Sequence, residues 1–133
     1  MSKQEKMRTY RTIKHHLKYE KYLNILNRDS AKALTKLRVS AHNLAIERGR
    51  YTRPPTPRDE RKCPHCPDDI QDEKHFLLSC TRYDHDRQTL FNSVITHSPA
   101  FASLSLNDKF LYILNAEGNT IHNAAKFIYT HLP

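Results

Sequence analysis

Apolar residues in the first half of the chain recur at intervals of three and four positions, which is the spacing of an amphipathic helix. The spacing is approximate over residues 4–26 and regular over 34–44. It therefore predicts a helical segment at 4–26, followed by a second and clearer helix. Asp29 or Ser30 would cap the start of that second helix. Gly49 stands where the helix C-cap is expected.

Three more patterns with the helical period follow in the second half of the chain. They cover residues 83–98, 107–114 and 120–132. Asn107 or Asp108 would cap the middle one. Because the links between them are short, we expect a small antiparallel bundle with the aromatic side chains in its core.

A proline-rich stretch interrupts the helices at residues 50–57, where three of the last four positions are proline. Such a sequence cannot continue a helix and is typically extended and stiff. It predicts a linker, or an arm that lies along a surface. The whole chain has only two glycines, which argues against a β-rich fold with many tight turns.

Charge divides the chain into two halves. Residues 1–62 contain 17 Lys and Arg against 6 Asp and Glu, whereas residues 63–133 contain 5 against 8. A basic half of this kind favours a polyanionic partner, although a merely soluble basic surface is the alternative. No apolar run approaches the roughly 20 residues of a membrane span, and the N-terminus lacks the apolar core of a signal peptide. We therefore expect an intracellular protein, nuclear or cytoplasmic, that is neither secreted nor bound to a membrane.

All three cysteines lie within a 20-residue window, in the pattern Cys63-x2-Cys66-x8-His75-x4-Cys80. In a reducing compartment, clustered cysteines bind metal more often than they form disulfides. Three cysteines and one histidine are a standard tetrahedral ligand set for structural zinc. Asp72 and the residue after it could open a short helix that turns His75 toward the ion, provided that the last helical turn loosens to admit Cys80. The pattern predicts one structural Zn²⁺.

The expected fold is mainly α: a small helical domain with an embedded Cys-Cys-His-Cys zinc knuckle. Its segments would be a basic N-terminal helical segment (1–29), a helix plus proline-rich linker (30–57), the zinc knuckle (58–82) and a C-terminal helical bundle (83–133). Residues 58–74 contain a single aliphatic side chain. They cannot order themselves by apolar burial, so a metal would supply that free energy.

Other interpretations of these motifs are weaker. His65 or His85 could replace one ligand, or the three thiols could be free. Since four protein ligands leave no position for a catalytic water, we expect no enzyme. Asp84 and Asp86 superficially resemble the paired aspartates that hold magnesium in a polymerase. They would face different sides of a helix and so would not share one ion. Residues 67–74, "PDDIQDEK", superficially resemble a nuclease signature. The two halves of that signature are too close in the sequence to leave room for the strands that would bring them to one metal ion.

The stretch "LRVSAHNLAIERGRYTRPPTPRDERKCPHCPDDIQDEKHFLLSCTRYDHDR" resembles the zinc-binding C-terminal region of non-LTR (LINE-type) retrotransposon polyproteins, which follows their reverse transcriptase domain. The later stretches "LSLNDKFLYIL" and "AAKFIYTHL" are also similar to that family. The shared pattern includes Gly49-Arg50-Tyr51, Pro54-Pro55, Arg61-Lys62-Cys63, Cys66, Asp72-Glu73, His75-Phe76-Leu77, Cys80, Tyr83 and Arg87. The resemblance implies a zinc site formed by Cys63, Cys66, His75 and Cys80 that aids engagement of element RNA or target DNA.

We therefore expect a zinc-stabilised module that binds RNA or DNA mainly through phosphate contacts. The candidate phosphate contacts are Arg48, Arg50, Arg53, Arg58, Arg61 and Lys62. Tyr51, His65 and Phe76 are candidates for stacking on unpaired bases. The alternatives are a solvated linker for the cations and core packing for Phe76.

Two other functions are compatible with the sequence. Zinc could staple a helical domain whose apolar face binds another protein. Alternatively, because these 133 residues contain neither a polymerase nor an endonuclease, the chain could be a retrotransposon remnant without a selected function.

Overall fold

Helices dominate the part of the chain that the computed structural model describes, residues 26–133. The predicted helix at 4–26 lies outside these residues except for its last position. We number the described helices α1 (Arg28–Arg38), α2 (Ala45–Arg48), α3 (Glu73–Leu78), α4 (Asp84–His97), α5 (Leu106–Leu114) and α6 (Gly118–His131). Three 3-10 turns cover Arg58–Glu60, Thr81–Tyr83 and Pro99–Ser103. The prediction of a mainly helical domain is confirmed, and none of the described helices is long and apolar enough to cross a membrane.

The first described helix starts and ends differently from the sequence prediction. The side chain of Asn27, and not Asp29 or Ser30, caps its start by accepting a hydrogen bond from the Ser30 N–H at 2.8 Å. The helix then ends at Arg38, because Ser40 adopts a left-handed backbone with φ of 60°. The N–H of Ala41 and the N–H of Ser40 bond back to carbonyls in the last turn, which is a Schellman ending. The prediction of a single helix from residue 30 to Gly49 is therefore wrong.

The short helix α2 resumes after this break, and Gly49 is its C-cap, as predicted. Gly49 has a helical φ of −64°, so glycine is not needed for a left-handed turn. The reason for glycine is the close approach of another side chain. A Cβ at this position would lie 2.6 Å from Cγ of Arg61.

The proline-rich stretch forms a closed loop, so the prediction of an extended arm is wrong. The Thr56 N–H donates to the Gly49 carbonyl at 2.9 Å and to the Thr52 hydroxyl at 2.9 Å. The Thr52 and Thr56 hydroxyls are 2.7 Å apart. Prolines cannot donate backbone hydrogen bonds, and the two threonines supply the bonds that close the loop.

The three C-terminal helices match the predicted positions to within two residues. Ser105 caps α5 instead of Asn107 or Asp108, and its side chain accepts the Asp108 N–H at 3.2 Å. Helix α6 begins at Gly118, two residues before the predicted start at residue 120.

Helix α6 lies at the centre of the packing, because α1, α4 and α5 all contact it and α3 contacts α5. One hydrophobic core runs through all these elements. Its largest fully buried side chains include Leu34, Leu37, Leu44, Phe76, Leu77, Val94, Phe101, Ile113, Leu114, Ile121 and Ile128. The segment with the cysteines is therefore anchored on the helical core through α3.

Candidate metal centre

The four predicted ligands meet at one place in the fold. One donor atom from each of Cys63, Cys66, His75 and Cys80 lies within 4.8 Å of the other three. The sulfur of Cys80 is 3.8 Å from that of Cys63 and 4.0 Å from that of Cys66. Sulfurs bound at about 2.3 Å to one tetrahedral ion would be about 3.8 Å apart. The group therefore fits a single metal ion with only a small contraction.

A tight hairpin presents the first two cysteines. The Cys63 N–H donates to the Asp69 carbonyl, and the Asp69 N–H donates to the Cys66 carbonyl, both at 2.9 Å. Below the turn, Lys62 and Ile70 form an antiparallel bridge. These bonds hold two sulfurs on the same side of the turn, as the Cys-x2-Cys spacing predicted.

Helix α3 presents the other two ligands. The Asp72 side chain caps it by accepting the His75 N–H at 2.8 Å, so the helix begins at Glu73 as predicted. At its other end, the His75 carbonyl accepts from both the Ser79 and the Cys80 N–H groups, at 2.9 and 2.8 Å. The chain thus leaves the helix after fewer than two turns, and this brings Cys80 back beside His75.

The imidazole of His75 carries the clearest sign of a missing partner. Its Nε2 atom is buried and has no hydrogen-bond partner among the described residues, while its Nδ1 lies 4.0 Å from the Asp69 carboxylate. An unpaired buried polar atom costs free energy, and native proteins rarely leave one. A metal ion bound to the sulfurs would satisfy this nitrogen. Burial also lowers the pKa of His75, which favours the neutral ring that binds metal.

The thiols differ in how readily they ionise. Burial raises the pKa of Cys80 to about 11, whereas hydrogen bonds from Thr81 lower the pKa of Cys66. Since Cys80 would hold its proton at neutral pH, a metal must displace that proton in order to bind.

Arg87 on α4 fixes the backbone around the ligands. Its guanidinium donates to the carbonyls of Cys80, Leu77 and Phe76 at 2.6, 2.9 and 3.0 Å, and to the Asp84 carboxylate at 2.9 Å. The side chain is buried. It satisfies carbonyls at the end of α3, where no intrahelical donor is available. Three thiolates around a divalent cation carry one net negative charge, and Arg87 is a nearby buried cation that offsets it.

Gln71 connects the hairpin to the start of α2, and His42 connects the segment before α2 to the start of α3. The Gln71 side-chain carbonyl accepts the Ala45 N–H at 2.7 Å, and its amide nitrogen lies 3.9 Å from the Cys63 sulfur. His42 accepts the Leu44 N–H at Nδ1, which leaves Nε2 to donate to the Glu73 carboxylate at 2.8 Å. The sequence pattern did not assign these roles. The only available signal was that Gln71 and Glu73 are polar residues near the predicted ligands in the sequence.

The predicted nucleic-acid contacts divide into exposed and internal side chains. The exposed ones are Arg48, Tyr51, Arg53, Lys62 and His65, and Arg58 is half-buried. Arg50 instead pairs with Glu47 at 2.8 Å, with both side chains nearly buried. Arg61 is 4% exposed and donates to the carbonyls of Ile46 and Thr56. A phosphate contact by Arg61 does not fit this structure, because its guanidinium points into the protein.

Phe76 is also internal. It is 1% exposed, and its ring packs 5.4 Å from that of Tyr83 and 5.5 Å from that of Phe127. Core packing, the alternative to base stacking, is therefore the correct interpretation of Phe76.

The rival ligands and acids do not form a site of their own. His65 and His85 are exposed and do not belong to the ligand group. Asp84 pairs with Arg87, whereas Asp86 lies 2.7 Å from Nε2 of His131. The two carboxylates thus have different partners, as expected from their spacing on a helix.

Comparison with known proteins adds no relative. No protein-family model, curated protein or solved structure matches this chain. The resemblance to retrotransposon polyproteins stays a prediction from the sequence.

Proposed function

We propose that this chain is a zinc-stabilised module that binds RNA or DNA mainly through phosphate contacts. The observation that carries the proposal is the position of three exposed cations and one half-buried cation, Arg58, directly before a preformed cluster of four candidate ligands. Arg48, Arg53, Arg58 and Lys62 come from the segment that leads into Cys63. No carboxylate of the described residues pairs with Arg53, Arg58 or Lys62. The resemblance to the zinc-binding region of retrotransposon polyproteins supports the same function.

The donor set favours zinc over other common metals. Three thiolates and one imidazole suit a soft or borderline ion, whereas magnesium and calcium prefer oxygen ligands. Four protein ligands complete a tetrahedron, so the ion has a structural role. Binding energies of structural zinc are on the order of 10–16 kcal/mol in small zinc peptides, which is enough to order a segment with few apolar side chains.

Salt dependence tests the phosphate contacts. A protein that neutralises four phosphates of a single strand should lose affinity with a log–log slope of about −3. We would measure fluorescence anisotropy of labelled single-stranded RNA, single-stranded DNA and duplex DNA over a range of salt concentrations. Binding without any salt dependence, or no binding to the three probes, would contradict the proposal.

A pair of triple variants locates the binding surface. Replacing Arg53, Arg58 and Lys62 together by Gln should weaken binding and make the slope less negative by about 2. The matched control replaces three basic residues elsewhere by Gln, namely Arg28, Lys109 and Lys126, and removes the same charge. Equal losses in both variants would show that net charge alone attracts the nucleic acid, and that the segment before Cys63 is not the contact surface.

A protein-interaction module is the second candidate, because a groove of about 300 Å³ lies between α1 and α6. Ala33, Ala41, Ile128 and Leu132 contribute apolar surface to it, and the exposed Tyr129 borders it. Sedimentation equilibrium over a wide range of protein concentration tests self-association. A dimer that is lost on replacing Tyr129 by Ser would favour this function over the first.

A further inference from the structure

A small cavity opens beside the metal ligands. Its volume is about 150 Å³, and Cys63 and Cys80 form part of its wall. The other two ligands, Cys66 and His75, do not line it, so it lies next to the metal position and not at it. Drug-sized ligands occupy sites of about 300–1,000 Å³. This cavity therefore has room for a single ring system.

The rest of the cavity wall includes a cation and flat side chains. His65 from the hairpin turn and Arg82 and Tyr83 from the turn before α4 line it. The guanidinium carbon of Arg82 lies 5.7 Å from the centre of the Tyr83 ring, and this contact orients an otherwise exposed side chain. No Asp or Glu lines the cavity, and no described carboxylate pairs with Arg82. A planar guanidinium can stack on a base or donate to a phosphate.

We propose that this cavity is a subsite for one unstacked nucleotide, with the base inside it and the phosphate on Arg82. The inference rests on the proposed function and assigns Arg82 and Tyr83, together with His65, to one binding site. The sequence predicted His65 as a stacking residue along with Tyr51 and Phe76, and it indicated no role for Arg82.

Electrostatics sets the orientation of the nucleotide. With zinc bound, the ligand cluster carries one net negative charge, and Arg87 offsets it from the protein side. A phosphate is therefore disfavoured against the sulfurs and favoured at the rim, where Arg82 is exposed. The neutral base occupies the inner part of the cavity.

The lining of the cavity indicates low selectivity among the four bases. The Gln71 side chain lines the cavity, but its carbonyl already accepts the Ala45 N–H and its amide nitrogen faces the Cys63 sulfur. Gln71 is therefore held mainly by contacts within the protein, which leaves stacking as the main contact to the base. Stacking without hydrogen bonds to the base edges tolerates all four bases.

Nuclear magnetic resonance of the zinc-loaded, ¹⁵N-labelled chain tests the site directly. The probes are inorganic phosphate, uridine and uridine 5′-monophosphate, and the reporter signals are the Gln71 side-chain amide, the His65 amide and the Arg82 Nε–H. The monophosphate should shift all three signals and saturate at lower concentration than either part alone. If phosphate alone produces the same shifts, the cavity is an anion site and the assignment of a base is wrong.

Affinity for a short single strand provides the second readout. Arg82→Gln should weaken binding about tenfold, because both a stacking surface and a phosphate contact are lost. Arg28→Gln removes the same charge from an exposed position outside both the cavity and the proposed contact segment, and it should weaken binding only about twofold. Zinc content and thermal stability should be unchanged in both variants.

The outcomes separate the two proposals. If the unmodified protein binds no oligonucleotide, the proposed function fails and the subsite fails with it. If the unmodified protein binds and the two variants weaken binding equally, the proposed function stands but the cavity is not a nucleotide subsite.

Discussion

Replacing Arg87 by Met tests whether one arginine holds the metal-binding segment on the helical core. The change removes three hydrogen bonds to the carbonyls of Phe76, Leu77 and Cys80, and one to the Asp84 carboxylate. Hydrogen bonds to a charged group contribute about 1.5–3 kcal/mol each, but they are not additive. The Asp84 side chain is mostly exposed, so that pair adds at most about 1 kcal/mol.

The expected loss in the free energy of unfolding is about 3–5 kcal/mol, because three buried carbonyls would each lose a donor at a cost of about 1–3 kcal/mol and the costs are not fully additive. This is a large part of the roughly 5–15 kcal/mol that stabilises an ordinary domain. Arg87→Lys should lose less, since an ammonium keeps the charge but cannot reach all three carbonyls at once.

Urea unfolding of the zinc-loaded protein, followed by far-ultraviolet circular dichroism, measures this loss. The rate at which a chromophoric chelator removes the metal gives an independent readout, and it should rise in Arg87→Met because the Cys80 backbone is no longer held. The matched control is Arg82→Met, an exposed arginine nearby, for which the expected change in stability is under about 0.5 kcal/mol. A loss below about 1 kcal/mol for Arg87→Met, or equal losses in the two variants, would refute the reasoning.

Three further predictions concern the ligands and their support. Cys80→Ser should abolish stoichiometric zinc binding and much of the helical signal, whereas the exposed Ser79→Ala should keep one zinc per chain; equal zinc contents would contradict the ligand assignment. Gly49→Ala should lower the free energy of unfolding by about 1–3 kcal/mol in urea, because the new Cβ would lie 2.6 Å from Cγ of Arg61. Most of this cost should vanish when the same change is made in the Arg61→Ala variant. An equal cost in the two backgrounds would show that Arg61 is not the obstacle. Because burial lowers the pKa of His75, the unfolded chain binds its proton more tightly, so stability should be fully present above the unfolded pKa of about 6.5 and fall as the pH drops below it. Loss of zinc on acidification would lower the stability in the same direction. A urea midpoint that does not change between about pH 8 and about pH 5 would argue against a buried neutral imidazole.

The clustering of Cys63, Cys66, His75 and Cys80 was predictable because it depends on local spacing. Cys63 and Cys66 need only a tight turn, and the Asp72 cap sets where α3 begins. The requirement that the helix loosen before Cys80 followed from helical geometry alone. None of these features depends on the arrangement of distant elements.

The internal arginines were not predictable in the same way. Basic side chains are usually exposed to solvent, and the burial of Arg61 and Arg87 depends on carbonyls that other segments bring to them. The only hint was the position of Arg87 on an otherwise apolar helical face. The end of α1 was hidden for a related reason, since Ser40 takes the left-handed conformation where glycine is usual and leaves no glycine signal.

The contact between Phe76 and Phe127 joins the ligand helix to α6, the helix against which α1, α4 and α5 pack. A metal ion bound by the Cys63, Cys66, His75 and Cys80 cluster would therefore be coupled to the folding of the helical core. Such an ion would act as a ligand of the native state and raise the folded fraction by mass action. Scarcity of zinc would then reduce how much folded protein a cell contains, since unfolded chains are removed by proteases. The abundance of the protein, and not only the shape of its knuckle, would follow the supply of the metal.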